Sequence, residues 1–460
     1  MPLLTLCLIA RDEETMLPGC LESVRSAVDE IVLVDTGSRD RTIEIARRAG
    51  ARVLEQPWAD DFSAPRNLAL EHATGRFVLQ LDADERLAPG AGKLLRRLLR
   101  APEADAYFLR LHDAAHLDAA PRDVTSGRAR QGDPVLLLRL FRRLAGVRYR
   151  GLVHESVDAA LRERQARFTA TEVDLVHLGN VAELRKERAK NTRNVELLRR
   201  QCASDPENST AFGYLAMELR AAGDAAGALE AAERGWGIAP NQPPWRSLQR
   251  IAVARALVAL DAGEPSRAAE VIDRLEALRG RLGSDALLVR GMACFRLAAQ
   301  ADGAARHDHA LRAAGSLREA LSRASEPDPH RIMIGSAGGA AAFHLGLSLL
   351  LAGDPSAALP AFEDAARAAP ADPDVRLGLA ECRLTLGEPS TALKLCESLL
   401  DERPDGWLLA ACSAAALGAR DDARMLLENA HRRAAHGFGS PHRREAAQAL
   451  ADTLACPLTP

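Results

Sequence analysis

The sequence of 460 residues is poor in aromatic side chains and nearly devoid of lysine. Aromatic residues make up 4% of the chain, and only four of its 60 basic residues are lysines, so arginine carries the positive charge. The 63 acidic residues balance the basic ones and leave a formal net charge of -3. Without a basic excess, the chain lacks the overall attraction that nucleic-acid-binding proteins use. We therefore expect no nucleic acid partner.

The eight cysteines are scattered along the chain. They form neither a C-x-x-C pair nor a cysteine–histidine cluster at zinc spacing. This pattern favours reduced thiols over a disulfide framework or a zinc knuckle. We therefore expect a cytoplasmic protein, with a peripheral position at the inner membrane as an alternative.

Long uncharged apolar runs are also absent, with two near exceptions. Residues 1–10 are apolar, but they lack a basic leader and continue into Arg-Asp-Glu-Glu, which predicts a first strand rather than a secretory signal. Residues 334–353 are rich in Ala, Leu and Gly but contain His344, which favours a soluble helix over a membrane span. The sequence therefore predicts no integral membrane segment.

The first 180 residues alternate between short β-rich runs and amphipathic helical patterns, such as those at residues 16–27 and 41–49. Strands are predicted at residues 4–9, 30–35, 52–55, 77–82, 106–111, 135–141 and 172–177. Alternation of strands with helices indicates parallel βαβ units. Sheets of this kind bind ligands beyond the carboxyl ends of their strands.

From about residue 183 the strand signals stop, and helical periodicity of Ala, Leu and Arg takes over. The segment Leu-Ala-Gly-Asp-Pro-Ser-Ala-Ala-Leu at residues 351–359 recurs as Thr-Leu-Gly-Glu-Pro-Ser-Thr-Ala-Leu at residues 385–393. The two copies place Gly353 and Gly387 34 residues apart, which is the tetratricopeptide period. The tail resembles tetratricopeptide repeats over roughly residues 205–435. We therefore predict an α/β domain at 1–182, a helical linker at 183–204 and a repeat domain at 205–460.

The most informative local pattern is the apolar strand that ends in Asp82-Ala-Asp84-Glu85. It delivers two carboxylates, separated by one small residue, to the exposed carboxyl end of the strand. Oxygen ligands of this kind suit Mg²⁺ or Mn²⁺, which keep positions open for a substrate diphosphate. A solvated turn or a helix cap is the alternative interpretation of so short a motif.

A second predicted strand also ends in an acid, Asp35, which is followed by Thr-Gly-Ser. The Asp35 carboxylate could accept hydrogen bonds from a nucleobase or a ribose, and the small residues Gly37 and Ser38 let backbone approach the ligand. The first strand ends in Ala10-Arg11-Asp12-Glu13 and completes the set.

Four segments together resemble a family 2 glycosyltransferase of the GT-A fold. They are Leu-Cys-Leu-Ile-Ala-Arg-Asp-Glu-Glu at 6–14, Ile-Val-Leu-Val-Asp-Thr-Gly-Ser-Arg-Asp at 31–40, Trp-Ala-Asp-Asp-Phe-Ser-Ala-Pro-Arg-Asn at 58–67 and Leu-Gln-Leu-Asp-Ala-Asp-Glu at 79–85. The third is similar to a subgroup of lipopolysaccharide-core glucosyltransferases and bacteriocin S-glycosyltransferases. The resemblance implies an α/β domain with a Rossmann-like mixed sheet, followed here by an all-α helical solenoid.

The resemblance also implies roles for individual residues on the donor side. Asp84 would be the main metal ligand, and Asp82 would lie between the ribose and the metal. Arg66 and Asn67 would position the nucleotide-sugar, with helix capping and surface pairing as the alternative. Further nucleotide contacts are implied for Ala10, Arg11, Glu13 and Asp35. Many family members carry a second acid where Thr36 stands, which leaves the base open, although the resemblance favours UDP.

Two histidine-containing segments resemble the same subgroup. Glu155, in Val-His-Glu-Ser, is the candidate base, because inversion needs a group that removes the acceptor proton during attack. The preceding His154 would contact the diphosphate or metal, or be structural. His177, in His-Leu-Gly, would ligate the metal or contact the diphosphate, or again be structural. The basic helix at residues 183–200 would be a solvated face or would partly face the nucleotide.

The expected function is metal-dependent, inverting transfer of a sugar from a nucleotide-sugar, favouring a UDP-hexose, to a saccharide, lipid-linked or peptide acceptor. The repeats would bind a protein acceptor or another partner, or mediate self-association. One alternative is a repeat adaptor whose glycosyltransferase-like domain is inactive. A sugar-phosphate nucleotidyltransferase is disfavoured, because its glycine-rich phosphate loop would stand where residues 10–13 read Ala-Arg-Asp-Glu.

Overall fold

The computed structural model describes residues 2–181, 190–242, 248–324, 326, 337–370, 372–400, 403–433 and 441–454. The chain forms two compact units, the first extending to Ala254 and the second beginning at Arg255. The first unit therefore includes helices that follow the predicted α/β domain. The predicted boundaries at residues 182 and 204 remain predictions drawn from the sequence rhythm.

The first unit is built on one mixed sheet of eight strands. The strands are β1 (Leu4–Ala10), β2 (Glu30–Asp35), β3 (Arg52–Glu55), β4 (Phe77–Gln80), β5 (Glu85–Leu87), β6 (Ala106–Ala114), β7 (Arg130–Arg142) and β8 (Phe168–His177). Their order is β3-β2-β1-β4-β7-β6-β8-β5. The strands β1, β2, β3 and β4 run parallel, whereas β7 pairs antiparallel with both β4 and β6. This confirms the predicted fold class, and β5 is an addition that the sequence did not signal.

Helices cover both faces of the sheet. They are α1 (Leu17–Val24), α2 (Thr42–Arg48), α3 (Ser63–His72), α4 (Ala91–Arg100), α5 (Pro121–Ser126) and α6 (Asp158–Glu163). Because side chains alternate across a strand, Leu6 and Leu8 of β1 pack in one core with α1 and α4. Between them, Cys7 points to the opposite core, where α3 and α6 lie. Burial on both faces accounts for the nearly continuous apolar sequences of the central strands.

Four more helices follow in sequence. They are α7 (Lys190–Ser204), α8 (Ser209–Ala221), α9 (Ala225–Ile238) and α10 (Leu248–Asp261). The helix α7 corresponds to the later part of the predicted basic helix, whose residues 183–189 lie outside the described part of the chain. Asp224 caps α9 by accepting a hydrogen bond from the amide of Gly227 at 2.9 Å. The unit boundary falls within α10.

The second unit is entirely helical where it is described. Its further helices are α11 (Pro265–Arg279), α12 (Ser284–Gln300), α13 (Gly303–Ser322), α14 (Ala337–Leu351), α15 (Pro355–Ala368), α16 (Pro373–Thr385), α17 (Pro389–Glu397), α18 (Pro404–Ala416), α19 (Arg420–Arg433) and α20 (Pro441–Leu454). Gly353 and Gly387 lie between paired helices with φ angles of 80° and 81°, which glycine adopts without strain. These turns match the predicted repeat pattern.

The predicted helix at residues 334–353 corresponds to α14, with residues 334–336 outside the described part. Gly346 of α14 faces the ring of Phe362 on α15, where an added Cβ atom would lie 2.8 Å from ring carbons. Small residues thus let neighbouring repeat helices approach closely. Among the described residues, no helix combines the length and the apolar character that crossing a bilayer requires.

Candidate active site

A cavity of about 1320 Å³ lies at the carboxyl ends of β1, β2 and β4. Its walls come from these strand ends, from β7, from residues 149–159, from the start of α3, and from α7, α8 and α10. It exceeds the roughly 300–1,000 Å³ typical of small-molecule sites. The volume is therefore sufficient for a nucleotide-sugar together with part of an acceptor.

Asp82 follows β4 and is held by two arginines. Its carboxylate accepts a hydrogen bond from Nη2 of Arg66 at 2.8 Å and from Nη2 of Arg139 at 3.0 Å. Burial alone would raise the pKa of Asp82, but these two guanidinium groups outweigh it and hold the pKa well below its usual range. Asp82 is therefore ionised at neutral pH.

The side chain of Glu85 is almost inaccessible, with 2% of it exposed. One carboxylate oxygen pairs with Arg139, and the other accepts a hydrogen bond from the backbone amide of Asp82 at 3.1 Å. Burial raises the pKa of Glu85, which Arg139 only partly offsets. The role of Glu85 is thus to fix the turn that presents Asp82.

His177, at the end of β8, lies between two acids. Its Nδ1 atom is 2.6 Å from Oδ1 of Asp113, and its Nε2 atom is 3.7 Å from Oδ1 of Asp84. The β-ladder determines this arrangement, because His177 is in register with Asp113 of β6 and with Glu85 of β5. Burial would lower the pKa of His177, but the hydrogen bonds to Asp113 and Asp84 raise it to about 10.

Gly179 leaves the space that Asp84 and His177 occupy. A Cβ atom at this position would collide with the Asp84 carboxylate and lie 2.6 Å from Nε2 of His177. The glycine of the His-x-Gly segment is therefore required by close approach. It keeps the Asp84 carboxylate beside the imidazole.

The fit of these residues to a divalent cation depends on the ligands that they can supply. Among the described residues, no three His, Cys, Asp or Glu side chains converge as a ligand set. Asp84 offers a carboxylate, whereas Asp82 is engaged by two guanidinium groups, and His177 would have to lose its proton to ligate. Mg²⁺ is commonly held by one or two carboxylates plus substrate phosphates and water. The acids present are compatible with a cation of that kind, and the role of Asp84 as its principal ligand remains a prediction.

Glu155 is joined to Asp82 through Arg66. The Nε atom of Arg66 donates to Oε1 of Glu155, while its Nη2 atom donates to Asp82. Side-chain exposure is only 9% for both Arg66 and Glu155. Arg66 thus bridges the predicted base and the predicted ribose-side acid. Its predicted direct contact with a nucleotide-sugar remains a prediction.

Asn67, the neighbour of Arg66, is engaged with the backbone. Its side-chain nitrogen donates to the carbonyl of Tyr149 at 3.1 Å, and its side-chain oxygen accepts from the amide of Tyr149 at 2.8 Å. These paired bonds fasten the segment before Glu155 to α3. The geometry gives Asn67 a positioning role, and a contact with donor remains a prediction.

On the nucleotide side, Ala10, Arg11 and Glu13 line the cavity. Asp35 is 2% exposed, and its Oδ2 atom accepts from the amides of Gly37 and Ser38, each at 2.9 Å. Its Oδ1 atom has no hydrogen-bond partner within the part of the chain that the structure describes. A buried acceptor without a partner is costly, but Asp35 is not among the residues that line the cavity, and its contact with a nucleotide remains a prediction.

The loop before α3 is packed by its own aromatic residues. The rings of Trp58 and Phe62 meet edge to face at 4.6 Å, and Trp58 Nε1 donates to Asp60 at 2.8 Å. The guanidinium of Arg193 lies 5.0 Å from the Phe62 ring. Of the basic run on the predicted helix, Arg185, Lys186 and Arg188 and the side chain of Lys190 lie outside the described residues.

His154, predicted either to contact the donor or to be structural, packs against a helix beyond the sheet. Its ring stacks on Tyr214 of α8 at 4.0 Å with a 10° interplanar angle. Its Nε2 atom lies 3.6 Å from a carboxylate oxygen of Glu218. His154 also lines the cavity, and its predicted contact with the donor remains a prediction.

The sequence reasoning missed several residues of this site, namely Glu85, Arg139, Asp113, Tyr149, Gly179, Tyr214 and Glu218. One signal was available for Arg139, which interrupts the apolar strand sequence Leu-Leu-Leu-Arg-Leu-Phe and therefore needs a buried partner. Nothing local marks Tyr214, because its role depends on the packing of α8 against the turn that contains His154.

Comparison with known proteins supports a two-part organisation. Residues 5–164 match the model of glycosyl transferase family 2, and residues 349–411 match a tetratricopeptide repeat model. A TPR repeat-containing protein of Synechococcus elongatus is 38% identical over 236 residues, which make up 50% of this chain and 54% of that protein.

Two further relatives are named as glycosyltransferases. The SPbeta prophage-derived glycosyltransferase SunS of Bacillus subtilis is 24% identical over 225 residues, covering 47% of this chain and 49% of that protein. An uncharacterized glycosyltransferase of Rickettsia typhi is 29% identical over 101 residues, covering 22% of this chain and 34% of that protein. The chain thus spans about half the length, or less, of these relatives. The chain carries an N-terminal family 2 glycosyltransferase domain followed by tetratricopeptide repeats.

Proposed function

We propose that this protein is a metal-dependent inverting glycosyltransferase that moves a sugar, favouring a hexose from a UDP-sugar, onto a saccharide, lipid-linked or peptide acceptor. One observation carries the proposal. A single cavity is lined by Asp82, Asp84, His177 and Glu155. Acids that would serve the donor and the acceptor thus open into the same space.

The donor would bind across the strand ends. Asp35 would accept a hydrogen bond from the nucleobase through its unpartnered Oδ1 atom, with the ribose near Asp82. Asp84, and His177 in its neutral form, would hold Mn²⁺ or Mg²⁺. Such an ion supplies Lewis-acid compensation for the charge that develops on the departing nucleoside diphosphate. The arginine pairs keep Asp82 ionised, so that it can accept hydrogen bonds from the ribose.

Glu155 would act as the base. Its Oε1 atom accepts a hydrogen bond from Arg66, and Glu155 lines the cavity. Oε2 would accept the proton of the acceptor while that atom attacks the anomeric carbon from the side opposite the leaving group. A single displacement of this kind inverts the configuration at that carbon.

The acceptor class rests on the resemblance to the subgroup and on the repeats. Stacked helix pairs form extended surfaces suited to a peptide or another protein. The repeats would therefore present a protein acceptor or bind a partner, and self-association is the other use of such a surface.

The test is a panel of UDP-, GDP- and dTDP-sugars, each with Mn²⁺, with Mg²⁺ and with EDTA, measured by thermal shift and by release of nucleoside diphosphate. We expect one UDP-hexose to stabilise the chain and to release UDP only when metal is present. Asp84→Asn should abolish release, because it removes the ligating charge, while the melting temperature of the free chain stays within a few degrees.

The control is Asp364→Asn, which removes an exposed carboxylate of the second unit and should leave release unchanged. If no sugar nucleotide shifts the melting temperature or is turned over, the adaptor hypothesis replaces the enzymatic one. Turnover by a folded Asp84→Asn chain at the wild-type rate would contradict the metal role.

A further inference from the structure

The turn that carries Glu155 lies outside the sheet and depends on side-chain contacts for its position. It is closed by reciprocal backbone hydrogen bonds between Arg150 and Ser156, both at 3.1 Å. Within it, His154 has a φ angle of +52°, which few residues other than glycine adopt. Such a conformation persists only when its surroundings hold it.

One side of the turn is held by α3. The Ser63 hydroxyl donates to the carbonyl of Gly151 at 2.6 Å, and the Phe62 amide donates to the carbonyl of Leu152 at 2.9 Å. Arg66, also on α3, donates to Glu155. These contacts come from the glycosyltransferase domain itself.

The opposite side is held by helices that follow the sheet. The amide of Leu152 donates to Oε1 of Gln201 on α7 at 2.7 Å. Tyr214 and Glu218, one helical turn apart on α8, contact the His154 ring by its face and by its Nε2 atom. The turn is thus held between α3 and the α7–α8 pair.

Side chains from α7 and α10 hold the two α8 residues that contact His154. Glu218 accepts a hydrogen bond from Nδ2 of Asn194 on α7 at 3.1 Å. Burial would raise the pKa of Glu218, but the contacts with His154 and Asn194 outweigh it and lower the pKa. The Tyr214 hydroxyl accepts from Arg250 of α10, whose guanidinium carbon lies 4.7 Å from the Tyr214 ring centroid. Three helices therefore fix the surface on which His154 rests.

We infer that Tyr214 and Glu218 are positioning residues for glycosyl transfer, which act through His154 to hold the Glu155 carboxylate at the acceptor. The inference rests on the proposed function, and it adds the first helices after the sheet to the apparatus that positions the base. His154 would then contribute to the reaction indirectly, by holding the turn that carries Glu155. Any ligand that moves α8 would also move the base.

The test uses the full chain and compares Tyr214→Leu, Tyr214→Phe and Glu218→Gln with Glu230→Gln, an exposed carboxylate on α9. The probe is UDP-glucose with Mn²⁺, and then any other sugar nucleotide that the wild type turns over. Leucine keeps apolar bulk but loses the flat ring, whereas phenylalanine keeps the ring and loses only the hydroxyl.

We expect Tyr214→Leu to lower kcat about ten- to a hundredfold, because a displaced Glu155 carboxylate no longer lies within hydrogen-bond reach of the acceptor proton. The KM for the donor should stay within about twofold, since the donor side is held by the sheet. Tyr214→Phe should restore kcat to within about threefold of the wild type. Glu218→Gln should give an intermediate loss, and Glu230→Gln none.

A second measurement tests the contact without turnover. In chains labelled with ¹³C-histidine, the His154 ring signal, identified by its loss in His154→Gln, should be displaced by the ring current of Tyr214. It should move toward the free-histidine position in Tyr214→Leu and remain in place in Tyr214→Phe.

An unmoved His154 signal, or a kcat for Tyr214→Leu equal to that of Glu230→Gln, would overturn the inference. So would equal losses of kcat and melting temperature in the Leu and Phe variants, because that result marks general destabilisation. If the wild type turns over no sugar nucleotide, the proposed function fails on its own, and the inference fails with it even where the histidine signal moves as expected.

Discussion

Replacing Arg66 by methionine tests whether the charge bridge between Asp82 and Glu155 supports the fold as well as the site. Methionine retains much of the apolar stem but leaves both carboxylates without this cation. Breaking a buried ion pair from one side costs about 3–5 kcal/mol. We expect about 3 kcal/mol, the lower end, because Asp82 keeps Arg139 and 35% of its side chain is exposed.

The pH dependence of this loss follows from Asp82. Its pKa in the folded chain lies below the ordinary value of 3.8, so the stability it contributes is fully present above about pH 4. That contribution is lost as the pH falls through the lower, folded value. The Arg66→Met chain lacks, at every pH, the part of this stability that the Arg66–Asp82 ion pair provides. The two chains should therefore differ most at neutral pH and converge below pH 4.

Hydrogen exchange measured by mass spectrometry on peptides covering β4 and β7 reports the local free energy of unfolding without contributions from the second unit. Arg52→Met, at an exposed arginine on β3, is the matched control and should change this free energy by less than about 0.5 kcal/mol. Arg66→Met should cost about 1–2 kcal/mol less in a Glu155→Gln background, where the carboxylate at position 155 has already been neutralised. Equal costs in both backgrounds would refute the bridge.

Two other substitutions test close approach and buried charge elsewhere. Gly179→Ala should impair metal-dependent donor binding, because the added methyl group displaces the Asp84 carboxylate. The control Gly237→Ala, with open space around its Cβ position, should bind normally and be stabilised by about 1 kcal/mol. Isothermal titration with Mn²⁺ and UDP compares the two variants, and unchanged binding by Gly179→Ala would contradict the close approach of Gly179 to Asp84. In the second unit, Arg443→Met should lower the stability of the last repeats by about 3 kcal/mol, because it removes the cation that pairs with Glu381 on α16 and Asp405 on α18. Urea denaturation followed by circular dichroism measures the loss. A change below about 0.5 kcal/mol would mean that water solvates these acids.

The sheet and its acidic edge could be predicted because their signals are local. Apolar strands that alternate with amphipathic helices indicate parallel pairing, and parallel strands bring Ala10, Asp35 and Asp82 to one edge. The register Ala10↔Asp35 in the β1–β2 ladder agrees with that expectation. The repeats were recognisable for the same reason, since each turn repeats its glycine.

The partners of those acids could not be predicted, because they depend on register between distant strands. Arg139 reaches Asp82 only because β7 pairs antiparallel beside β4, with Leu140 opposite Leu79. His177 meets Asp113 because the bulged β6–β8 ladder brings them into register. A shift of one residue in either ladder would turn these side chains to the other face of the sheet.

The two sides of the cavity are therefore positioned by different kinds of interaction. On the proposed donor side, His177 ends β8 and the backbone carbonyl of Asp84 accepts a hydrogen bond from the amide of Leu178, so both residues are tied to the sheet. The Glu155 turn joins the sheet through few backbone contacts and is held by side chains from α3, α7 and α8. Under the proposed function, the acceptor side would change with the helices that follow the sheet, while the donor side would stay constant. A glycosyltransferase domain joined in this way to different helices could keep one donor and serve different acceptors.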